Sequence, residues 1–309
     1  MSAGVHPPDR PRLSIALRIL SGLLGAGMFV CVKVVSEEVP LGEIVFFRSL
    51  FAFFPLIVFL WLRGEFPQGL ATKRPVGHLV RASFGALAMF ASFAAVAHLS
   101  LAEATLIAQL SPLLLAVSAA LFLSERLTVW RLAGLAFGFA GVIVLVWPDL
   151  VAANGVSGRT LGYTLGFLAA VLTALALTMV RSLNRTESPG AIALYFVLAS
   201  LIGALFTLPW GWMVPTGWTL VLLMCAGLFG GFMHIAMTLA FKYAEASRLA
   251  PFEYLGLIWP LAADLFIFKL PLATTFFLAA PLVLAGAALA AAERPRKPAR
   301  VYPAAKRPG

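Results

Sequence analysis

The chain alternates long apolar blocks with short polar breaks, and this alternation limits what it can fold into more than any other feature. Ten such blocks lie near 13–35, 44–62, 79–98, 103–123, 130–147, 161–181, 190–209, 218–240, 248–268 and 271–291. Each is close to the roughly 20 residues a helix needs to cross a hydrocarbon core. Backbone polar groups can be satisfied in that core only by helices or closed barrels. Barrel strands would alternate over about ten residues, and these blocks are too long and too uniformly apolar for that. The expected fold is an all-α integral membrane protein with ten transmembrane helices. Composition agrees, because 61% of the 309 residues are apolar and 12% are charged, against about 25% charged in soluble domains.

The net charge of +10 would suit a nucleic-acid partner if it lay on one face. Instead it is spread over the two tails and the ends of the blocks, where cations orient helices and meet anionic lipid. Membrane lipid is therefore the expected partner, and nucleic acid is not. When the loops are assigned alternately to two sides, nineteen Lys and Arg fall on one side. Only Lys33, Arg159 and Lys269 fall on the other, and Arg48 lies inside the second block. The positive-inside rule then predicts both termini in the cytoplasm. The polar start, Met1 to Arg12, has no small-residue cleavage site after the following block and reads as a tail on a retained first helix. Cys31 and Cys225 lie inside apolar blocks, without the spacing of a disulfide framework or metal site.

The longest breaks are 63–78 and 147–160. The second, with Pro148, Asp149, Asn154, Gly155 and Gly158, divides the blocks into five and five. The expected organisation is a cytoplasmic tail at 1–12, a first repeat at 13–147, a periplasmic linker at 148–160, a second repeat at 161–291 and a basic cytoplasmic tail at 292–309. Ala102-Glu103-Ala104-Thr105 in the first half is matched by Ala244-Glu245-Ala246-Ser247 in the second. Each half ends with a glycine in its last helix, at Gly141 and Gly286. Since five spans is an odd number, the second copy must be inverted, a common construction of secondary transporters.

The order of short motifs carries a family resemblance. The first half reads Glu43-Ile44-Val45-Phe46-Phe47-Arg48, Leu101-Ala102-Glu103-Ala104-Thr105, Ser111-Pro112, Ser124-Glu125-Arg126-Leu127 and Gly138-Phe139-Ala140-Gly141. The second reads Thr186-Glu187-Ser188-Pro189, Ala244-Glu245-Ala246-Ser247, Ala250-Pro251-Phe252-Glu253-Tyr254 and Gly286. This order resembles two EamA repeats of the drug/metabolite transporter superfamily over about residues 13 to 291. The resemblance implies a ten-helix permease of the bacterial inner membrane that exchanges or co-transports a small organic molecule and needs no cofactor. It is most similar to the permeases for riboflavin or S-adenosylmethionine uptake, with export of amino acids or related metabolites as the alternative. The chain departs from the family at Phe268-Lys269-Leu270-Pro271, where a Glu is expected, and at Ala279-Ala280, where a Gly is expected.

Ionisable residues inside spans are functional candidates, because a mid-membrane charge costs about 2.5–3.5 kcal/mol on insertion scales. Arg48 could hold a carboxylate or phosphate in bidentate fashion, or could be tied up in an ion pair with Glu43 or Glu103. Glu253 could bind a cationic group or take up a proton, or could bond Lys242 or Arg248. Asp264 and His234 are further candidates for proton coupling, Asp264 with Lys269 as a competing partner and His234 with a packing role. Gln109 and Ser111 flank the bend expected at Pro112. Tyr195, Tyr254 and Trp259 could stack on a planar substrate or simply pack, while Trp210, Trp212 and Trp218 read as an interfacial belt. Gly138 and Gly141 could pack helices within one chain or across a homodimer.

An intramembrane enzyme is the rival from another class. His6, His78, His98 and His234 have no HExxH-type spacing, and no P-loop occurs. A channel filter sequence is not visible either.

Overall fold

Apolar blocks that length alone assigns to helices are helices in the computed structural model, which describes residues 10–67, 70–123, 127–152, 157–184, 186–243, 249, 252 and 254–291. In chain order they are α1 (Pro11–Val35), α2 (Leu41–Leu62), α3 (Pro75–His98), α4 (Leu101–Ala108), α5 (Leu110–Leu123), α6 (Val129–Ala152), α7 (Gly158–Leu183), α8 (Pro189–Leu205), α9 (Gly217–Tyr243), α10 (Ile258–Phe266) and α11 (Thr274–Ala291). Short 3-10 turns at Leu208–Trp210 and Tyr254–Leu257 extend α8 and precede α10. No strand occurs among the described residues. Seven helical stretches, counting α4 and α5 as one, are long and apolar enough to cross a membrane, and α8, α10 and α11 are shorter apolar helices. Large apolar side chains face outward all round, including Trp61, Leu121, Phe206 and Leu278. So much exposed apolar surface suits lipid and not water.

Proline sets several of the boundaries. Pro75 occupies the first turn of α3, where its fixed φ and missing N–H cost nothing. The helix therefore begins four residues before the expected 79. Pro112 cannot donate to the carbonyl of Ala108 and its ring clashes there, and Ala108 is where α4 ends. The fourth block is thus broken at Gln109 rather than simply bent. Pro271 lies in a non-helical stretch, so α11 starts at Thr274 and not at 271.

The most extensive pairings are α1 with α9, α3 with α7 and α6 with α11, followed by α2 with α9 and with α8, and α3 with α8. Glycine governs two of them. Along α9, Gly227 and Gly231 face α2 so closely that an added Cβ would lie 2.4 Å from Phe51 and 2.5 Å from Pro55. Gly134 and Gly286 bring α6 and α11 together backbone to backbone, with 2.5 Å between each hypothetical Cβ and the other's carbonyl oxygen. Gly138 and Gly141 lie in this contact region as well, so these glycines are used inside the chain.

Two cores result. One gathers Met28, Val32, Ile44, Leu56, Phe93 and Phe196 from α1, α2, α3 and α8. The other gathers Leu106, Leu145, Tyr163, Phe276 and Val283 from α4, α6, α7 and α11. Contacts between loops define two ends of the bundle. At one end Lys33, Leu99, Glu103, Arg159 and Asp264 meet. At the other meet His78 and Glu187, with Arg10 bonded to Tyr243.

Candidate functional site

Arg48 lies in the middle turns of α2 and is 2% exposed. It is buried because α2 is pressed onto the glycine face of α9, and Gly230 gives the guanidinium room. A Cβ at Gly230 would sit 2.9 Å from both Nε and Nη2 of Arg48. Nε points at the Met28 sulfur at 3.5 Å, and Nη2 lies 3.5 Å from Nε2 of His234. The contact with His234 is at the outer limit of hydrogen bonding, and the thioether sulfur is a weak acceptor. Nη1 is buried with no partner. His234 lies edge-on to Phe196, with ring centroids 6.1 Å apart. The Arg81 guanidinium sits over the same Phe196 ring, 4.5 Å from its centre. The middle of the bundle therefore holds two arginines and a histidine from α2, α3 and α9 around one phenylalanine of α8.

At the Glu103 end side chains satisfy the first turn of α4 and the last turn of α3. Ser100 caps α4 by accepting from the Glu103 amide at 3.2 Å, while Glu103 Oε2 accepts from the Ser100 amide at 3.1 Å. This is a capping box. The two amides between them, of Leu101 and Ala102, donate to the Asp264 carboxylate of α10 at 3.0 and 2.7 Å. Lys33 of α1 donates to the carbonyls of Val96 and Leu99 at the end of α3, at 3.0 and 2.6 Å. The remaining Glu103 oxygen accepts from Arg159 Nη2 at 2.7 Å, and Nε of the same arginine reaches Asp149 at 3.2 Å. The Tyr163 hydroxyl lies 2.6 Å from Arg159 Nη2 and 3.0 Å from Asp149. Six helices, α1, α3, α4, α6, α7 and α10, thus take part in charge-assisted bonds. A cavity of about 500 Å³ opens beside them, lined by Lys33, His98, Glu103, Arg159 and Thr274 among others.

The Glu187 end is lighter. His78 Nε2 and Glu187 Oε2 are 3.2 Å apart and both side chains are almost fully buried. The Lys73 amide donates to Glu187 Oε1 at 3.4 Å, and the Tyr195 hydroxyl donates to the Leu70 carbonyl at 2.9 Å. Burial pushes the Glu187 carboxyl up, but hydrogen bonds from His78, Thr72 and the Lys73 amide outweigh it and leave the group below its ordinary value.

Of the residues expected to form a site, Arg48 and His234 come together. The ion pair of Arg48 with Glu43 or Glu103 does not form: Glu43 instead accepts from the Met213 amide at 3.0 Å, and Glu103 is taken by Arg159. Asp264 serves the α4 terminus rather than Lys269. Tyr195 lies at the Glu187 end, 4.5 Å ring to ring from His78. Gln109 marks the break between α4 and α5, and Ser111 is buried just beyond it. Trp259 lines an apolar groove of about 300 Å³ with Leu23, Ala26 and Gly27, and its indole N–H is buried without a partner. Glu253 and the Ala244-Glu245-Ala246-Ser247 motif lie outside the described residues, as does the side chain of Tyr254. Arg81, Lys33, Arg159 and His78 were not expected at a site. Ser100-x-x-Glu103 ahead of an apolar run spells out the capping box.

The EamA-like transporter family matches residues 12–147 of the chain. Over 260 residues the chain is 30% identical to a pseudopaline exporter of Pseudomonas aeruginosa, covering 81% of this chain and 86% of that one. The chain belongs to the EamA-like transporter family. This permease is also 29% identical to a riboflavin transporter of Rhizobium johnstonii, over 90% of each chain. It is 27% identical to an S-adenosylmethionine uptake transporter of Rickettsia felis, over 74% of each. A crystal structure 20% identical in sequence shares the permease's fold with a TM-score of 0.64, over 90% of this chain and 95% of the other. The relatives' names and the apolar helices make the permease a multi-pass membrane protein of a transporter family.

Proposed function

We propose that this permease is a secondary active transporter that moves a small organic metabolite across the bacterial inner membrane by alternating access. In this reading ten spans form two inverted repeats, 13–147 and 161–291, with 148–160 as a periplasmic linker and both tails in the cytoplasm. The observation that carries it is the pattern of helix pairing. Number the spans so that α4 and α5 together are the fourth, and α10 with its preceding turn is the ninth. Exchanging the two halves turns the pairing of α1 with α9 into that of α7 with α3, and these are the two most extensive contacts. The pairing of α2 with α9 becomes that of α8 with α3, while α2 with α8 and α6 with α11 map onto themselves. A pseudo-twofold axis of this kind lets two halves trade inward-open and outward-open shapes.

Within this scheme the substrate site is the middle of the bundle around Arg48 and His234, with Gln109 and Ser111 at the broken fourth span and the aromatic side chains as further contacts. The cross-ties of the Glu103 end make that end the closed one. Asp264 is the proton-coupling candidate, since a proton on its carboxylate would weaken its hold on the first turn of α4. Glu253 remains a second such candidate.

Riboflavin and S-adenosylmethionine are the first substrates to test for uptake. Export is the second reading, favoured by the relative that carries an exporter's name. The test is counterflow in proteoliposomes holding the purified full chain. Saturable exchange of riboflavin, S-adenosylmethionine or an amino acid is expected, with Arg48→Ala abolishing it while the protein still inserts. Absence of exchange across that panel, or full exchange by Arg48→Ala, would remove the reading.

A further inference from the structure

We infer that Arg48, Arg81 and His234 form one binding site for an anionic group, a carboxylate or a phosphate, on the transported molecule. This rests on the transporter reading and adds to it a second arginine and a substrate class.

Neither guanidinium has the partner its burial calls for. Arg48 is 2% exposed, yet its nearest polar contacts are a thioether and an imidazole nitrogen at 3.5 Å, and Nη1 has none. Arg81 has both Nε and Nη1 buried without a hydrogen-bond partner. The face of Phe196 attracts its charge but accepts none of its in-plane N–H groups. Four buried carboxylates occur among the described residues, and each is engaged elsewhere. Glu43 holds the Met213 amide through one oxygen and has its other oxygen buried without a partner, Glu103 holds Arg159, Glu187 faces His78, and Asp264 holds Leu101 and Ala102. The chain therefore has anions to spare at its ends and places none of these against the two arginines.

The guanidiniums belong to one locus. Arg48 reaches His234, His234 is edge-on to Phe196, and Phe196 carries Arg81 on its face. Backbone is cleared for both. A Cβ on Gly230 would sit 2.9 Å from Arg48 Nε, and one on Gly85 would sit 3.1 Å from Arg81 Nη1 and 2.9 Å from Phe196. Two permanent cations linked through His234 and Phe196 repel each other, and an anion bound to both would offset that repulsion. Their planar forks match the two oxygens of a carboxylate or phosphate. Arg159, half-exposed at the Glu103 end, carries carboxylate partners in the resting fold, whereas the more deeply buried Arg48 and Arg81 have none among the described residues.

The sign of a stability change tests this. Full-length Arg48→Met and Arg81→Met variants are compared with wild type by melting temperature in neutral detergent and by competition in counterflow. The probes are matched pairs: flavin mononucleotide against riboflavin for phosphate, and methionine against methioninamide for carboxylate. The expected result is that the probe bearing the phosphate or carboxylate outcompetes its partner lacking that group by about tenfold or more. Each variant should lose that preference and, without ligand, melt above wild type, because an unpaired buried charge has been removed. Equal competition within both pairs would overturn the inference, as would variants that keep the preference or melt below wild type. So would stabilisation of wild type alone by added phosphatidylglycerol with neither soluble anion effective, since the anion would then be a lipid headgroup. Discrimination in detergent without vesicle exchange would remove the transporter reading and leave the site. Exchange without discrimination would do the reverse.

Discussion

The two ends of this permease and its middle solve the burial of charge in opposite ways. At the Glu103 end, carboxylates meet amides and a guanidinium at 2.7 to 3.2 Å, and four consecutive amides from Ser100 to Glu103 each have an acceptor. In the middle, Arg48 has nothing closer than 3.5 Å. The ends are ordered by their own bonds, so they hold a shape. The middle bears a cost of desolvation that its own side chains leave uncompensated, and a bound anion would recover it. Under the alternating-access scheme proposed above, the ties at the Glu103 end are the gate and the unmet donors of the middle are the substrate site.

The largest effect expected from this contrast is on exchange. Arg48→Met should lower counterflow about a hundredfold, the loss of two charge-assisted bonds at roughly 1.5 kcal/mol or more each, while the empty protein becomes more stable. Full exchange, or a less stable protein, would place Arg48 with the structural charges of the ends. The next effect has the opposite sign. Asp264→Ala should cost about 2–3 kcal/mol of stability by leaving the Leu101 and Ala102 amides without an acceptor in a buried place. Thermal unfolding in detergent measures it, and Asp264→Asn, which keeps one oxygen, should lose less. Should Asp264→Ala melt like wild type, the ties at this end would not be what holds α4.

The all-helical architecture could be read from the sequence because block length and the price of bare backbone in lipid leave almost no alternative. Arg48 and His234 stood out for the same reason, as rare polar groups inside apolar blocks. Their meeting across α2 and α9 could not be read, since it depends on Gly227, Gly230 and Gly231 bringing two distant helices into backbone contact. The end cluster was legible in part. Ser100 and Glu103 form a local motif, whereas Asp264 reaches the same helix from 162 residues away. Arg81 falls inside the third apolar block, but its seat over Phe196 depends on how α3 packs on α8 and could not be read. Tyr195 could be read only as an aromatic that stacks or packs, and its contact with His78 depends on α3 and α8 meeting.

Smaller effects separate the two ends from each other. Arg159→Ala should cost about 1 kcal/mol at most, despite two carboxylate partners, because its side chain is 43% exposed and water screens the pairs. A much larger loss in thermal unfolding would mean that the Glu103 end is held by that arginine and not by the helix caps. The Glu187 end should respond to acid. Its carboxyl is pushed up by burial and pulled further down by hydrogen bonds from His78, Thr72 and the Lys73 amide, so its folded value lies below its ordinary 4.5. The unfolded chain therefore takes up this proton first as pH falls. The stabilisation is complete above about pH 4.5 and is lost as pH drops through the lower folded value. Melting temperature should accordingly fall in that acid window in wild type and fall less in Glu187→Gln, whose side chain cannot titrate. Identical acid profiles for the two proteins would mean that the His78–Glu187 contact contributes nothing that depends on charge, and the lighter end would then be held by packing alone.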